Sequence, residues 1–543
     1  MIKVQARLRS IKCIVAPRNF RSEHKLVYTE TRPMPRKRLG HELLSLIVRK
    51  EGGEMWTEEF MNAVQPTVTA LSVLCTVFII RALWNWQTAG LGFRSIPSKG
   101  SLGWPIVGET LSLFRCAGDS TFERWVGERI QKYGTMFKSH VFLHPSIVMT
   151  TTEEVKFVLD DPHKQMRNGA PESLKRVLGR SSIFALDGKE YRDIYKFLND
   201  SVLMPKLKPK TAEFNRLIRH SLSSWEGHTV DIPEAMQKII VKILTFNFFL
   251  IPWQGETADQ ITPLIQTAVQ GTTSVPIYFP GTTFYKASNA RRKLDQILLP
   301  IIRELRSAES GGSSNYASLA EKFPFKNLFD YEMNGESISD AAVCDVLMTP
   351  ILTGSLGPST VVALAIYHLT ENPSMLQKAQ AEVDQLRKQK EELGETDLSV
   401  SDLKDLKYLT QVYNEVLRIS TIIPGIVRLA NTDIHFNGNV IPKDWLMLTP
   451  FVMVHMDPET YPDPSKFNPD RFEAPPNPGK FFPFGRGLRA CVGRDLTKLV
   501  VLMALYHILS DFTWDVVSCS GKLKYLPALQ MIGGYRLSIK SRT

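Results

Sequence analysis

The chain has 543 residues, of which 43% are hydrophobic and 10% aromatic, so it can bury a large core and is neither a disordered nor a collagen-like protein. Its formal net charge of +11 is concentrated at one end, because residues 1–54 hold 13 basic and 5 acidic side chains, a net charge of +8. The other 489 residues carry only +3, so charge gives no reason to expect nucleic acid as a partner.

The first predicted segment, residues 1–54, is a basic N-terminal extension or targeting segment. Residues 1–22 hold six basic groups and no acid, which resembles a targeting presequence, although serines are few. In the alternative, Met55 is the working start and the chain opens on Glu58 and Glu59. We expect the endoplasmic reticulum membrane as the location, or the plastid envelope if the extension is a targeting segment.

Residues 60–86 are predicted to form a single transmembrane anchor. No formal charge occurs from Phe60 to Ile80, and a helix of this length reaches about 30 Å, the thickness of a bilayer core. Tryptophans flank the stretch. If Met55 is the start, acids precede the anchor and arginines follow it, an asymmetry that places the remaining body in the cytoplasm. The alternative is a buried amphipathic helix, since the stretch contains Asn62, Gln65 and Pro66.

Residues 95–543 are predicted to form one body that is mainly α with a small β portion. Apolar residues recur at spacings of three and four in three long segments, which predicts helices over 344–370, 404–420 and 495–509. Strand-like runs cover 136–148 and 432–447, the second with a turn at Asn437–Gly438. Six widely spaced cysteines without a CxxC pair argue against a disulfide scaffold or a structural zinc site.

The segment Phe482–Gly493 is the most informative part of the sequence. Gly485 and Gly487 permit a tight loop and a close backbone approach to a flat ligand, and a good helix follows. Cys491 therefore comes just before a helix N-terminus, where exposed amides and the nearby Arg489 stabilise a negative sulfur. Such a thiolate can ligate a metal, and on haem iron it favours O–O cleavage.

This segment resembles the cysteine-ligand signature of the cytochrome P450 family, Phe-x-x-Gly-x-Arg-x-Cys-x-Gly. Every fixed position is matched, by Phe484, Gly487, Arg489, Cys491 and Gly493. The alternative is a dinucleotide fingerprint, G-x-G-x-x-A from Gly485 to Ala490, but no strand is predicted before it. The resemblance implies a cytochrome P450 fold, haem (heme b) as cofactor, Cys491 as the axial ligand of its iron, and Phe484 and Gly487 among the cofactor-binding residues.

Two further segments occur in the order that the family shows. Glu415 and Arg418 lie three residues apart on one predicted helix, and Arg471 follows in Pro469–Phe472. The resemblance implies that these three form a buried charge network behind the cysteine loop, where each charge would be costly without its partners. Their predicted role is structural.

The resemblance also implies two contacts to the haem propionates, because guanidinium groups suit carboxylates geometrically; these are Arg428 and Arg489. The family commonly has a third contact from a Trp-x-x-x-Arg pair in an earlier helix. Here Tyr191 and Tyr195 stand at both fixed positions, so Arg192 or Lys196 would have to replace that arginine.

The oxygen-side motif of the family, Ala-Gly-x-Asp/Glu-Thr-Thr/Ser, falls on Thr353–Pro358, and here the sequence departs from the pattern. Gly354 is kept, but Leu356 replaces the acid and Gly357 the alcohol. Pro358 has no amide to donate to the Gly354 carbonyl, which predicts a kinked helix and a free carbonyl that can hold a water.

Two hydroxyl groups flank the altered position. Thr353, Gly357 and Thr360 are spaced i, i+4 and i+7 and share one helix face. We expect Thr353 or Thr360 to deliver protons through water in place of the missing alcohol, with Gly354 beside them. The alternative is that both threonines only satisfy backbone carbonyls.

Further segments, among them 103–110 and 279–285, resemble the plant sterol and terpenoid hydroxylases of the family, which include brassinosteroid, gibberellin and abscisic acid oxidases. The resemblance implies a membrane-bound haem-thiolate monooxygenase that hydroxylates or oxidises a small apolar terpenoid or sterol-type substrate with O2. Electrons would come from an NADPH-cytochrome P450 reductase, docked on a positive face formed by Arg486, Arg489, Arg494 and Lys498.

Because the oxygen-side motif is altered, two other functions stay open. One is an O2-independent haem-thiolate isomerase or dehydratase, although the cysteine loop lacks the insertion seen in one group of such enzymes. The other is a non-catalytic haem-binding protein.

Overall fold

The computed structural model describes residues 58–88, 99–104, 107–118, 121–251, 256–310, 323–333, 335–525 and 528–542. The predicted extension, residues 1–54, and the alternative start Met55 lie outside these ranges. The chain divides into two units, residues 1–77 and 78–543. The described part is mainly helical with a small β portion, which confirms the predicted fold class.

The α-helices of the described part are numbered in chain order. They are α1 Glu58–Thr88, α2 Thr110–Gly118, α3 Phe122–Tyr133, α4 Thr152–Asp160, α5 Glu172–Leu178, α6 Gly188–Val202, α7 Met204–Leu207, α8 Thr211–Ser223, α9 Ile232–Phe249, α10 Glu256–Gly271, α11 Thr283–Glu309, α12 Asp340–Gly354, α13 Leu356–Glu371, α14 Pro373–Glu392, α15 Val400–Asp405, α16 Lys407–Ser420, α17 Phe451–His455 and α18 Arg494–Asp511.

The strands are numbered in the same way. They are β1 Met136–Val141, β2 His144–Met149, β3 Met166–Asn168, β4 Thr229–Asp231, β5 Glu332–Met333, β6 Glu336–Ser337, β7 Gly425–Ala430, β8 Ile434–Phe436, β9 Asn439–Ile441, β10 Leu446–Pro450, β11 Phe512–Cys519, β12 Lys522–Tyr525, β13 Leu529–Ile532 and β14 Tyr535–Ser541.

One five-stranded sheet has the strand order β1-β2-β10-β7-β3. It carries Arg428, one of the two residues predicted to bind the haem propionates. β2 and β10 run parallel, and the other neighbours run antiparallel. Arg428 of β7 stands opposite Met447 of β10 on one side and Asn168 of β3 on the other. Its backbone is therefore fixed by ladders on both edges. The remaining sheets are the three-stranded β11-β14-β4 and the pairs β12-β13, β5-β6 and β8-β9.

The main core forms around long helices that are apolar on every side. The run Val361–Ile366 of α13 is at most 2% exposed, and α18 is buried over most of its length from Leu499 to Ser510. A helix without a polar face is stable only inside a protein, so these sequences dictate the centre of the fold. α13 packs against α9, α16 and α18.

The helix predicted over 344–370 is present but interrupted. α12 ends at Gly354 and α13 begins at Leu356, with Ser355 between them. Pro358 lies in the first turn of α13 and has no amide to donate to the Gly354 carbonyl, which explains the interruption. The interruption at Ser355 agrees with the missing hydrogen bond, and the kink itself stays a prediction. The turn predicted at Asn437–Gly438 also exists, with φ of +47° and +73°, between β8 and β9.

The predicted anchor lies within α1. Its apolar side chains are exposed, for example Leu74 at 66% and Phe78 at 70%. Among the described residues of this helix, the apolar segment is Thr69–Arg81, which by itself is shorter than the ~20 residues that span a bilayer. Among the described residues, only the segment Asp340–Glu371 meets the length and apolarity of a membrane span, and 72% of its most apolar window is buried in protein. The transmembrane anchor therefore stays a prediction.

Candidate active site

The cysteine loop, Phe482–Gly493, is closed by its own backbone. The Cys491 amide donates to the Phe484 carbonyl at 2.9 Å. Gly487 has a φ of +73°, and a Cβ added there would lie 2.3 Å from the carbonyl oxygen of Leu159. Any side chain at this position would be strained by the left-handed backbone and would clash with the Leu159 carbonyl, so the position requires glycine.

Cys491 lies shortly before α18, which begins at Arg494. Its side chain is exposed, although protein packed behind the sulfur raises the pKa of the thiol, and the Gly493 amide and Arg494 offset this only in part. Arg489, which the sequence predicts near the sulfur, is ion-paired with Asp187. The loop therefore holds the sulfur in place and leaves its ionisation to a bound metal, which deprotonates a coordinating thiol.

The two predicted propionate ligands have different surroundings. Among the described residues, Arg428 bonds only the adjacent Val427 carbonyl, at 3.1 Å. Burial, with a smaller contribution from Arg489, lowers the pKa of Arg428 to about 10. A half-buried cation that bonds no carboxylate among the described residues is a suitable partner for an anionic ligand. Arg489 is already ion-paired with Asp187, and its guanidinium carbon lies 3.8 Å from the centre of the Tyr191 ring.

α6 contacts the cysteine loop through Tyr191 and Tyr195. Their hydroxyls each donate a hydrogen bond of 3.0 Å, to the carbonyls of Leu488 and Ala490. Arg192 and Lys196 are exposed, so neither takes the place of the family's arginine on the face that meets the loop. Sequence reasoning noted both tyrosines only as departures from a motif and missed these bonds.

The two distal threonines are placed differently. Thr353 is exposed, and its hydroxyl donates to the Thr349 carbonyl at 2.8 Å. Thr360 is buried, and its hydroxyl donates to the Leu529 carbonyl of β13 at 3.0 Å. The hydroxyl of Thr360 therefore ties α13 to the β12-β13 hairpin, whereas Thr353 keeps its oxygen lone pairs accessible. Gly354, between them, has no amide partner from Pro358 for its carbonyl.

The altered position of the distal helix opens on an apolar segment. A Cβ added at Gly357 would lie 3.8 Å from Cγ2 of Ile422, which is ordinary van der Waals contact. Ile423, the next residue, is 39% exposed. The Ile422 carbonyl accepts from the Leu529 amide at 2.9 Å, so the hairpin supports this segment. Gly357, Ile422 and Ile423 together form an apolar surface, and there is space for a side chain beside Gly357.

The predicted charge network is present and buried. Arg418 donates from Nε and Nη2 to the two oxygens of Glu415 at 2.7 and 2.8 Å, and both side chains are 0% exposed. The Nε atom of Arg471 lies 3.5 Å from the Glu415 carboxylate. The structural role expected from the sequence is confirmed.

His455 connects this network to the cysteine loop, and sequence reasoning missed it. Its Nε2 accepts the Phe482 amide at 3.1 Å, so the proton is on Nδ1, which faces the Thr421 hydroxyl at 3.1 Å. Its backbone carbonyl accepts from Arg418 at 3.0 Å. Burial, and to a smaller extent Arg418, lower the pKa of His455 to about 3. No spacing marks this histidine, because its partners come from two separate segments, the end of α16 and the cysteine loop.

Comparison with known proteins decides the family. A sequence model of cytochrome P450 matches residues 97–533. The chain belongs to the cytochrome P450 family. Abscisic acid 8′-hydroxylase 1 of Arabidopsis thaliana is 29% identical over 455 residues, covering 83% of this chain and 92% of that protein. Cytochrome P450 90D2 of Oryza sativa subsp. indica is 31% identical, covering 76% and 84%.

A solved structure shows the same fold. The retinoic acid bound cyanobacterial CYP120A1 is 24% identical and matches with a TM-score of 0.72, covering 82% of this chain and 100% of that one. The predicted family and its plant hydroxylase branch are confirmed, and the protein is a cytochrome P450 monooxygenase, an oxidoreductase. Family and fold imply haem with a cysteine thiolate ligand.

The residues present fit a haem. The loop presents an exposed cysteine. Arg428 is a half-buried cation that bonds no carboxylate among the described residues, and a propionate would neutralise it. A sulfur donor and an unpaired guanidinium are the two groups that an iron porphyrin with acidic side chains requires.

Proposed function

We propose that this cytochrome P450 hydroxylates or oxidises a small apolar molecule of the terpenoid or sterol type, using O2. The observation that carries the substrate class is its similarity, across most of the chain, to plant enzymes named as abscisic acid 8′-hydroxylases. The apolar surface formed by Ile422, Ile423 and Gly357 supports it, because a rigid apolar substrate gains by burial against such a surface.

Each site residue has a separate task in this proposal. Cys491 ligates the iron, Arg428 and Arg489 bind the propionates, and Phe484 and Gly487 shape the loop around the cysteine. Bound haem supplies the chemistry that oxidises an unactivated C–H bond. The chain orients the substrate carbon, excludes water from the apolar side, and supplies protons from the distal helix.

The proton supply is assigned to water held between Thr353 and Gly354. The Thr353 hydroxyl donates to Thr349 and can still accept from a water, and the Gly354 carbonyl is free of a helical partner. Thr360 contributes by fixing α13 to the Leu529 carbonyl. Thr353→Ala should lower the fraction of NADPH consumption that yields product, and Thr353→Ser should restore it. If coupling is unchanged in Thr353→Ala and Thr360→Ala, the distal assignment is wrong.

Turnover of a panel of terpenoid and sterol substrates, with reductase, in air and under anaerobic conditions, tests the reaction. Oxygen-dependent product from an apolar terpenoid or sterol supports the proposal. Oxygen-dependent product only from polar substrates would contradict the substrate class. A carbon monoxide difference spectrum on the same preparation reports whether haem is bound through thiolate.

A second candidate is an O2-independent isomerase or dehydratase, and the distal helix favours it. Leu356 and Gly357 offer neither acid nor alcohol, and the Thr360 hydroxyl is used by Leu529. Product formed without oxygen would support this candidate. A thiolate-type spectrum without any turnover would instead indicate a non-catalytic haem-binding protein.

Electrons are proposed to come from an NADPH-cytochrome P450 reductase that docks at a cleft beside the cysteine loop. Arg486, Arg494 and Lys498 line this cleft of about 610 Å³. Arg486 is paired with Asp160 at 2.6 Å and Arg494 with Asp495 at 3.1 Å, so both cations are oriented at the rim. Arg489 does not line the cleft. Arg494→Glu should slow reduction and weaken its salt dependence, whereas Lys238→Glu on α9 should not.

The membrane location is also a proposal. Residues 60–86 within α1 would act as the anchor, with the body in the cytoplasm at the endoplasmic reticulum, or at the plastid envelope if residues 1–54 direct the chain there. Exposed apolar side chains from Leu71 to Ile80 support insertion. The full chain should stay in the membrane pellet at alkaline pH, and N-terminal sequencing of the mature protein distinguishes the two compartments.

A further inference from the structure

Tyr191 and Tyr195 contact the cysteine loop directly before its cysteine. They lie four residues apart on one face of α6, and their hydroxyls donate to the carbonyls of Leu488 and Ala490, both at 3.0 Å. Tyr191 is 5% exposed. The pair therefore bonds the loop backbone at two points on the N-terminal side of Cys491.

The bond from Tyr195 acts on the peptide group that joins Ala490 to Cys491. The carbonyl of this peptide accepts from Tyr195, and its N–H donates to the Phe484 carbonyl at 2.9 Å. Hydrogen bonds in series through one peptide group polarise and strengthen each other. Tyr195 thus reinforces the bond that closes the loop around the cysteine.

The bond from Tyr191 is accompanied by contacts to the intervening side chain, Arg489. The Arg489 guanidinium carbon lies 3.8 Å from the centre of the Tyr191 ring, which is a favourable cation–π distance. Arg489 is also ion-paired with Asp187, the residue that precedes α6. Asp187, Tyr191 and Tyr195 therefore hold three successive loop residues, 488–490.

We propose that Tyr191 and Tyr195 form a tyrosine clamp, a pair of positioning residues that keeps Cys491 in the loop conformation in which its sulfur ligates the haem iron. The two residues occupy the helix positions where the family commonly has tryptophan and arginine. In this chain those positions act on the backbone of the loop through hydroxyl groups. In the alternative, the tyrosine rings only fill space, and their hydroxyls are dispensable for holding Cys491 in this conformation.

Tyrosine-to-phenylalanine variants separate these two roles, because they remove the hydroxyl and keep the ring. The set is Tyr191→Phe, Tyr195→Phe, the double variant, and Tyr525→Phe as the matched control. The Tyr525 hydroxyl also donates to a backbone carbonyl, that of Ser420 at 3.2 Å, but not to the loop. Each protein is prepared as the full-length holoprotein.

The first measurement is the carbon monoxide spectrum of the reduced protein during incubation at raised temperature. The ratio of the thiolate-type band to the band of protein that has lost thiolate ligation should fall about fivefold for each clamp hydroxyl removed, the equivalent of one hydrogen bond. It should fall further in the double variant and stay at the wild-type value in Tyr525→Phe. Unchanged ratios in both single variants and the double variant would overturn the proposal.

The second measurement is hydrogen–deuterium exchange of peptides covering residues 482–493, which needs no turnover. Loss of the Tyr195 hydroxyl should speed exchange of the Cys491 amide about fivefold, because its bond to Phe484 weakens. Faster exchange with an unaltered carbon monoxide spectrum would confine the tyrosines to loop stability and would also overturn their role in ligation.

Discussion

The cysteine loop and the distal helix each contain a glycine at a position that the family pattern singles out, but the structure requires only one of them. A Cβ at Gly487 would meet the Leu159 carbonyl at 2.3 Å, and φ is +73°. A Cβ at Gly357 would lie 3.8 Å from Ile422, in a helical backbone. Gly487 is a geometric requirement, whereas Gly357 removes a side chain from a place with room for one. The departure in the distal helix is therefore a change of chemistry and not of packing.

The hydroxyl groups near the cysteine loop also differ from those of the distal helix in the bonds that they make. On the cysteine side, Tyr191 and Tyr195 bond carbonyls within the loop itself, and His455 bonds the loop at Phe482. On the distal side, Thr360 bonds a hairpin carbonyl and Thr353 bonds within its own helix. Polar groups converge on the cysteine loop, whereas on the distal side only Thr353 of the two threonines is exposed. The following predictions test this contrast in order of decreasing effect.

The largest effect is expected from Cys491→Ser. The thiolate-type carbon monoxide band and all turnover should disappear, because no other sulfur is presented by the loop. Cys519→Ser, at an exposed cysteine of β11, is the control and should keep both. A thiolate-type band that survives in Cys491→Ser would disprove the ligand assignment.

The next effect concerns the buried network behind the loop. Glu415→Gln leaves Arg418 buried with a neutral partner, which should lower the free energy of unfolding by about 3–5 kcal/mol. Glu391→Gln removes an i,i+4 pair with Arg387 that is largely exposed, and should cost at most about 0.5 kcal/mol. Urea unfolding of the full chain measures both. Equal losses in the two variants would contradict the importance of burial.

The same substitution at the two glycines tests the opening comparison directly. Gly487→Ala should lower the free energy of unfolding by more than about 2 kcal/mol, because the left-handed backbone alone costs 1–2 kcal/mol and the contact with Leu159 must also be relieved. Gly357→Ala should be neutral or raise stability by up to about 1 kcal/mol, since alanine favours a helix. Thermal unfolding and haem content measure the difference, and a Gly357→Ala variant that loses haem would refute it.

The pH dependence of stability should report on His455. Its pKa of about 3 in the folded protein lies below the ordinary value of about 6.5, so the unfolded chain binds more protons between these values. Stability should therefore be complete above pH 6.5 and fall as the pH drops toward 3, by at most about 1.4 kcal/mol per pH unit. His455→Gln should flatten this slope. His368, whose pKa burial lowers to about 4, contributes a second part of this pH dependence of stability. The His455→Gln variant keeps that part.

Much of the cysteine side could be predicted from the sequence, because its signature lies within ten consecutive residues. Gly487, Arg489 and Cys491 sit close together in the chain, so their spacing alone indicates a loop that presents sulfur. The network of Glu415 and Arg418 is likewise local to one helix. The ion pair of Arg489 could not be predicted, because its partner, Asp187, comes from a distant segment of the chain.

The distal side could be predicted only in part. Pro358 predicts a missing helical hydrogen bond, and the structure has an interruption at Ser355. Thr353 and Thr360 share a helix face in sequence terms, yet the partner of Thr360 is Leu529, 169 residues away. Their different roles depend on where a hairpin lies, which local periodicity cannot reveal.

The sequence by itself determined the helical core, the interrupted distal helix and the loop that carries Cys491, because each follows from neighbouring residues and from backbone restrictions of proline and glycine. The tertiary structure decided which groups support that loop. Tyr191 and Tyr195 meet carbonyls 297 and 295 residues away, and His455 joins segments that no spacing relates. Hydrogen bonds need atoms about 3 Å apart, and only the folded chain brings such distant residues to that distance.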